Sequence, residues 1–306
     1  MEIKNVSLIG LGALGILFAD LMTKKWPVEN VRIVADEERI ARYQKEGVYC
    51  NGKRCDFHYV TPEEKVAPAD LLLFTVKFTG LADAIEAVKH HVGEETIILS
   101  AINGITSEEI IGNAYGEEKV LYCVAQGMDA VKEGNHLTYK NTGMLCFGDK
   151  QKGIISEKTK RVARFFEAID FPHEVDDDML KRLWGKFMLN VGVNQTVAVF
   201  RGNYGLIQRE GEARQMMIGA MREVIALAQK EGIDLTEEDL HYWLSVLARL
   251  HPEGKPSMAQ DVEAKRYSEV ELFSGTVLKL AKKHRLNTPM NEQLYRRIKA
   301  IEAEYD

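Results

Sequence analysis

The sequence has little of what builds metal-bound or disulfide-stapled folds. Four cysteines occur in 306 residues, at Cys50, Cys55, Cys123 and Cys146, and no two form a C-x-x-C pair. No histidine cluster accompanies them, so a structural zinc site lacks its ligand set and no metal is expected. Cys50 and Cys55 flank Asn51-Gly52, a strong hairpin-turn signal. A disulfide there is disfavoured in a reducing compartment, and plain thiols on a hairpin are the expectation. Long apolar runs are also missing. Stretches such as Ala69 to Val76 fall far short of the roughly 20 residues that span a bilayer. No basic-then-apolar leader pattern is present, which favours a cytoplasmic protein. Basic charge is not in excess: 40 Lys and Arg face 46 Asp and Glu, a net charge of −6. General affinity for nucleic acid or an anionic membrane surface is therefore not expected. Internal repeats and low-complexity tracts are absent. What remains is an ordinary soluble composition, 45% apolar and 28% charged, long enough for two domains with separate cores.

The chain is organised around Val6 to Gly15, VSLIGLGALG. A short apolar run leads into Gly10, Gly12 and Gly15, and a helical pattern (Ile16, Leu17, Phe18, Leu21, Met22) follows. Strand, tight turn and helix start are the context that turns G-x-G-x-x-G into a dinucleotide-binding signal. Gly10 permits the turn, Gly12 lets backbone approach a pyrophosphate, and Gly15 lets helix and strand pack closely. The amides of Gly12, Ala13, Leu14 and Gly15, with the positive end of the helix dipole, then face the phosphates.

The rest of this half reads as alternating strands and helices, an α/β doubly wound domain. Val31 to Ala35 is a second parallel strand, and Asp36 at its end suits the adenosine ribose hydroxyls of NAD. Arg39 lies three residues on and suits a 2′-phosphate, so NAD and NADP both stay open. Asp36 can equally cap the helix from Glu37 to Lys45. Gly47 to Val60 reads as an inserted hairpin. The run Asp70 to Val76 is a buried strand ending at Lys77, where a basic residue faces the ligand crevice or is merely solvated. Leu81 to His91 is a helix. Thr96 to Ala101 is a strand followed by Asn103-Gly104, which places Asn103 as turn residue or as amide donor. Thr106 with Glu109 has the form of a capping box. Val120 to Ala125, Leu137 to Tyr139, Met144 to Phe147 and Phe171 to Val175 read as further strands, and Ile154 to Ala168 as a helix. Asp176-Asp177-Asp178 reads as an exposed helix start, and the domain boundary is placed there. That gives a Rossmann-type domain over 1–176 and an all-α domain over 177–306.

Within the helical half, Lys186, Asn190 and Asn194 fall four residues apart on one helix face, about 6 Å per step along the axis. Polar groups on an otherwise apolar helix are costly to bury without partners, so they line a cleft or face solvent. Ser257 with Gln260, and Ser268 with Glu271, each have capping-box form. An unbroken helix would hold Ser257 and Glu269 about 18 Å apart; the second box suggests a break that lets both serve one site. Apolar helix from Tyr242 to Leu250 is a candidate homodimer face.

These motifs, G-L-G-A-L-G, T-V-K at Lys77, N-G at Asn103, K-F-M-L-N-V-G-V-N from Lys186 and S-M-A-Q-D-V from Ser257 followed by Glu269, resemble the ketopantoate reductase (2-dehydropantoate 2-reductase) family in both halves and in order. The resemblance implies a nicotinamide cofactor, usually NADP, and reduction of ketopantoate to pantoate in pantothenate biosynthesis. It implies Lys186 and Glu269 as catalytic residues, Asn190, Asn194 and Ser257 as substrate-binding, and Lys77 and Asn103 as contacts to cofactor or substrate. A lysine ammonium can bind the developing oxyanion and protonate it. Asp36 departs from the basic residue common in NADPH-preferring members. It keeps open an NAD-dependent D-2-hydroxyacid dehydrogenase acting on other branched or aromatic 2-keto acids.

Overall fold

The computed structural model describes residues 2–305. The chain divides into two compact units, Met1–Leu180 and Lys181–Asp306. In the first, strands alternate with helices: β1 Val6–Ile9, α1 Ala13–Thr23, β2 Val31–Val34, α2 Glu37–Glu46, β3 Tyr49–Cys50, β4 Lys53–Arg54, β5 His58–Val60, β6 Leu71–Phe74, α3 Leu81–Ala87, β7 Ile97–Ser100, α4 Ser107–Tyr115, β8 Val120–Met128, β9 Val131–Glu133, β10 His136–Thr138, β11 Thr142–Gly148, α5 Glu157–Ala168 and β12 His173–Val175. β1, β2, β6 and β7 are buried at every position. That is why they read as continuous apolar runs rather than alternating ones.

The main sheet has eight strands in the order β12-β11-β8-β7-β6-β1-β2-β5. From β5 to β8 every pairing is parallel, and β11 then runs antiparallel to β8. Taken in chain order, the six parallel strands are arranged 3-2-1-4-5-6, the order of the Rossmann-type fold. The topological switch falls between β1 and β6, paired Val6 to Leu71 through Ile9 to Phe74. Chain leaves both strands at their carboxyl ends there, so the Gly10 turn and the Thr75–Lys77 segment lie side by side at that end of the sheet.

The inserted hairpin is shorter than the sequence suggests. β3 and β4 close around Asn51 and Gly52, with φ of 48° and 77°. The Asn-Gly pair thus makes the tight turn it favours. His58–Val60 does not return to that hairpin; it joins β2 as the parallel edge of the main sheet. β10, read from the sequence as one more strand of this domain, pairs with β3 in a separate four-stranded sheet, β4-β3-β10-β9. Cys50 and Cys55 are not bridged, and burial beside Asp20 pushes both thiols up to about 12, which keeps them protonated.

The expected helix to His91 ends at Ala87 and continues as a 3₁₀ turn, Lys89–His91. Thr106 makes no capping bond, so the capping box with Glu109 does not form. The aspartate run is tied to the loop before α5: Lys152 pairs with Asp178 at 2.6 Å, and Gly153 N–H donates to the Asp177 carbonyl at 2.7 Å. Among the described residues no group of three or more His, Cys, Asp or Glu side chains converges as metal ligands. No described helix is long and apolar enough to cross a membrane.

The second unit is helical: α6 Met179–Val199 (its first two residues belong to the first unit), α7 Tyr204–Gln208, α8 Glu212–Lys230, α9 Glu237–Leu247, α10 Ser257–Glu263, a π-helical segment Glu271–Gly275, α11 Thr276–His284 and α12 Pro289–Glu302. α9 opens with a reciprocal capping box between Thr236 and Asp239. Its centre includes Phe187, Met188, Met217, Met221, Val224, Phe273, Val277, Leu294 and Ile298, all 1% exposed or less.

Candidate functional site

The glycine turn of the first unit is built for close approach. Gly10 has φ of +100°, and a Cβ there would stand 2.7 Å from the Val76 side chain and 2.8 Å from its backbone nitrogen. A Cβ on Gly15 would collide with the Gly10 carbonyl oxygen. A Cβ on Gly12 would meet only the Thr75 carbonyl, at 3.5 Å, so one side of this residue is open. Gly12 is the N-cap of α1, which has neither a capping side chain nor an acidic residue in its first turn. α2, α5 and α9 all carry both. The positive end of α1 is thus the one left uncompensated among these four, and backbone amides at Ala13, Leu14 and Gly15 are suited to an anion. These residues fit the pyrophosphate of a dinucleotide.

Around that turn the carboxyl strand ends bring further polar groups. Lys77 is exposed and opens a 3₁₀ turn, Phe78–Gly80. Asn103 is half-buried and precedes Gly104, whose φ of +98° makes the turn after β7. Behind it lies a buried chain the sequence reading did not single out. Ser100 Oγ donates to Ser107 Oγ at 2.9 Å, and Ser107 Oγ donates to Glu108 Oε2 at 2.9 Å. This ties the end of β7 to the start of α4 across the Asn103 turn. Asp36 caps α2: its Oδ1 accepts from Arg39 N–H at 2.7 Å, and its Oδ2 lies 3.4 Å from Arg39 Nε. Thr75 was also missed; its hydroxyl reaches the Gly10 carbonyl.

In the second unit, Lys186, Asn190 and Asn194 lie on the single helix α6. Asn190 is 9% exposed and Asn194 7%, and Lys186 is half-buried. Leu183, Phe187, Met188 and Val191 of the same helix are buried as well. The stripe is therefore an enclosed polar line, not a solvated helix face. Ser257 is exposed and is the first residue of α10, with Pro256 as N-cap; no Ser257 capping box forms, and Gln260 Nε2 donates to the Lys255 carbonyl at 3.0 Å. The helix does break before Glu269: α10 ends at Glu263 and Lys265 takes a left-handed φ of 51°. The box of Ser268 with Glu271 is not what starts the next segment. Ser268 N–H and Oγ both donate to Glu302 Oε1, at 2.8 and 2.6 Å. Glu269 is half-buried at the entry to the π-helical segment, and its carbonyl accepts from Leu272 and Phe273 N–H.

A cavity of about 350 Å³ opens where α6, α10 and α12 end, lined by Ala198, Arg201, Val262, Lys265 and Tyr305 among others. None of the residues singled out from the sequence lines it. A second, of about 390 Å³, sits at the β8–β11 rim beside Gln126 and Asn141.

Comparison with known proteins follows the same division. A family model described as ketopantoate reductase PanE/ApbA matches residues 6–152, and one for the C-terminal part of ketopantoate reductase PanE/ApbA matches residues 178–302. The 2-dehydropantoate 2-reductase of Aquifex aeolicus (strain VF5) is 26% identical over 300 residues, covering 96% of this chain and 96% of that protein. Among solved structures, a PanE/ApbA family ketopantoate reductase from Ralstonia eutropha JMP134 superposes with a TM-score of 0.85 at 22% identity, covering 98% of this chain and 99% of that one. A D-mandelate dehydrogenase solved with NADH and anilino(oxo)acetate superposes with a TM-score of 0.86 at 19% identity, with the same coverage. At those identities the two structures speak for the fold.

Proposed function

Because the chain belongs to the ketopantoate reductase family, we propose that it is an NAD(P)-dependent oxidoreductase that reduces the keto group of ketopantoate to the alcohol of pantoate. In this reading residues 1–176 bind the dinucleotide and residues 177–306 supply substrate binding and catalysis. Gly10, Gly12, Ala13, Leu14 and Gly15 receive the pyrophosphate. Asp36 meets the adenosine ribose, and Lys77 and Asn103 contact cofactor or substrate.

A reduced nicotinamide dinucleotide held at Gly10 to Gly15 would supply the hydride that reduces the keto carbon. Negative charge then develops on the keto oxygen, and one proton completes the alcohol. Lys186 is assigned that proton: its ammonium binds the oxygen and donates as charge builds. Asn190 and Asn194 orient the substrate hydroxyl and the lysine without adding charge. Ser257 donates to the substrate carboxylate, and Glu269 binds the substrate hydroxyl or holds Lys186.

The observation that carries this reading is the buried stripe on α6. Two asparagines less than a tenth exposed stand in line with half-buried Lys186, three hydrogen-bonding side chains on one face of a largely apolar helix, as a small polar substrate requires. Initial rates with ketopantoate and NADPH, and separately NADH, test it; no oxidation of either cofactor would overturn it. Asp36 favours a second reading, an NAD-dependent D-2-hydroxyacid dehydrogenase. In that case NADH with 2-ketoisovalerate or phenylglyoxylate outruns ketopantoate in the same assay.

A further inference from the structure

One residue past the polar stripe, α6 carries a side chain with no place in the reaction above. Gln195 follows Asn194 directly and is 0% exposed. Its Nε2 donates to the Val191 carbonyl of its own helix at 2.8 Å, which fixes the amide plane. Its Oε1 accepts from the backbone N–H of Ser274 at 3.2 Å. Ser274 lies within the π-helical segment Glu271–Gly275, where Gly275 N–H bonds back to Val270. Such turns widen the helix and disturb its regular ladder; they are rare and frequently occur at functional sites.

The contact is buttressed from the far side. Asn291 Oδ1 accepts from Ser274 Oγ at 3.1 Å and lies 3.5 Å from Gln195 Nε2. Asn291 Nδ2 in turn donates to Glu223 Oε2 at 2.7 Å and to the Ala220 carbonyl at 3.2 Å. Asn291 and Ser274 are also 0% exposed. A buried polar network with this many partners holds one geometry, since any displacement leaves a polar group unpaired. At the front of the same segment, Glu302 holds Ser268 through two hydrogen bonds. Glu269 therefore sits on a stretch gripped at both ends, Ser268 by α12 and Ser274 by α6.

We infer that Gln195 is a positioning residue: it locks the Glu269-bearing segment in register with the Lys186–Asn190–Asn194 stripe of α6. The inference rests on the reading of the reaction given above. It adds that the relative placement of Lys186 and Glu269 is set one residue beyond the stripe, through the Ser274 amide.

Gln195→Met keeps the shape and removes the acceptor, and Gln195→Glu provides a second variant. A carboxyl at this position keeps an oxygen that accepts from the Ser274 amide in either protonation state. Hydrogen exchange at the Ser274 amide is measured on wild type and variants, alongside kcat and KM at temperatures well below unfolding. The expected result for Gln195→Met is faster exchange at Ser274 and a kcat lowered on the order of ten- to a hundred-fold, with KM for the keto acid within about twofold. For Gln195→Glu, which keeps the acceptor, exchange at Ser274 stays slow and kcat stays closer to wild type than that of Gln195→Met. A Gln195→Met enzyme with faster exchange at Ser274 but wild-type kcat overturns the inference, as does a Gln195→Glu enzyme that keeps slow exchange at Ser274 yet loses as much kcat as Gln195→Met. If wild type turns over no 2-keto acid, the reading of the reaction fails instead, and Ser274 exchange still decides whether Gln195 holds the turn.

Discussion

The hydroxyl of Thr75 lies 2.6 Å from the carbonyl oxygen of Gly10 and donates to it, across the point where the sheet changes winding direction. It also stands 3.0 Å from the Ile9 carbonyl oxygen. A side chain at the end of β6 thus fixes the first glycine of the turn that leaves β1. Thr75→Val preserves shape and removes the hydrogen bond, leaving a buried carbonyl less well paired. That is worth about 1–3 kcal/mol, and its effect falls on the turn. The affinity for NADH and NADPH is expected to drop about tenfold or more, read by quenching of intrinsic fluorescence, while the melting point moves by a few degrees. Unchanged affinity would separate the turn from dinucleotide binding.

Lys186→Ala is expected to lose at least two orders of magnitude in kcat while cofactor affinity stays within a few-fold of wild type. Lys186 lies on α6, and the glycine turn lies in the other compact unit. Near-normal turnover would remove Lys186 from its assigned role.

Asp36 caps α2, and one pair of substitutions separates that task from its proposed contact with the adenosine ribose. Asparagine caps helices as well as aspartate does, so Asp36→Asn should leave stability unchanged and act only through charge. Its expected effect is a shift of the NADPH to NADH preference towards NADPH. Asp36→Ala should produce the same shift and in addition cost about 1 kcal/mol of stability through the lost bond to Arg39 N–H. Cofactor preference that is indifferent to both changes would leave Asp36 as a helix cap alone.

His91 makes stability depend on pH. Its Nδ1 lies 2.9 Å from Ser7 Oγ, its Nε2 meets no hydrogen-bond partner among the described residues, and its side chain is fully buried. Burial, with smaller contributions from the nearby Arg32 and His90 charges, lowers its pKa from 6.5 to about 4. The unfolded chain takes up this proton near pH 6.5, the folded one only near pH 4. Stability is therefore full above about pH 6.5, falls as pH drops through this window, and loses up to about 3 kcal/mol by its lower end. Melting temperatures of wild type and His91→Gln between pH 7 and 4 check this. The variant should have a shallower slope over that range.

The parallel core was legible because its strands are buried on both faces and so spell unbroken apolar runs, as Leu71–Phe74 does. The glycine turn was legible because Gly10 and Gly15 each answer a steric demand of their own. Helix starts were less so. Thr106–Glu109, Ser257–Gln260 and Ser268–Glu271 all have the spacing of a capping box, yet Ser268 bonds to Glu302 and Gln260 to Lys255 instead. Spacing states what a side chain can reach, not what it takes: Ser268 is claimed by a tertiary partner, Gln260 by a carbonyl just before its helix, and Thr106 Oγ1 meets no partner among the described residues. The hairpin at Asn51-Gly52 was visible for the same local reason that the fate of His58–Val60 was not: joining β2 depends on contacts made elsewhere. Gln195 escaped notice because it breaks the four-residue step of the stripe. A signal was present, since Gln195 and Thr196 stand amid an apolar helix end that both must be buried in.

The small sheet has a consequence for how the first unit comes to be made. Its hairpin around Asn51 is completed by the chain near Tyr139, whose N–H donates to Asn51 Oδ1 at 2.9 Å across 88 residues of sequence. β3 cannot find β10 until most of the parallel strands have been synthesised, and closing so long a loop is entropically costly until intervening structure shortens it. As the chain leaves the ribosome, the Tyr49–Arg54 hairpin waits with an open edge, and its docking marks a late step in assembly. Fragments ending before residue 131 would expose that edge permanently and invite pairing between chains.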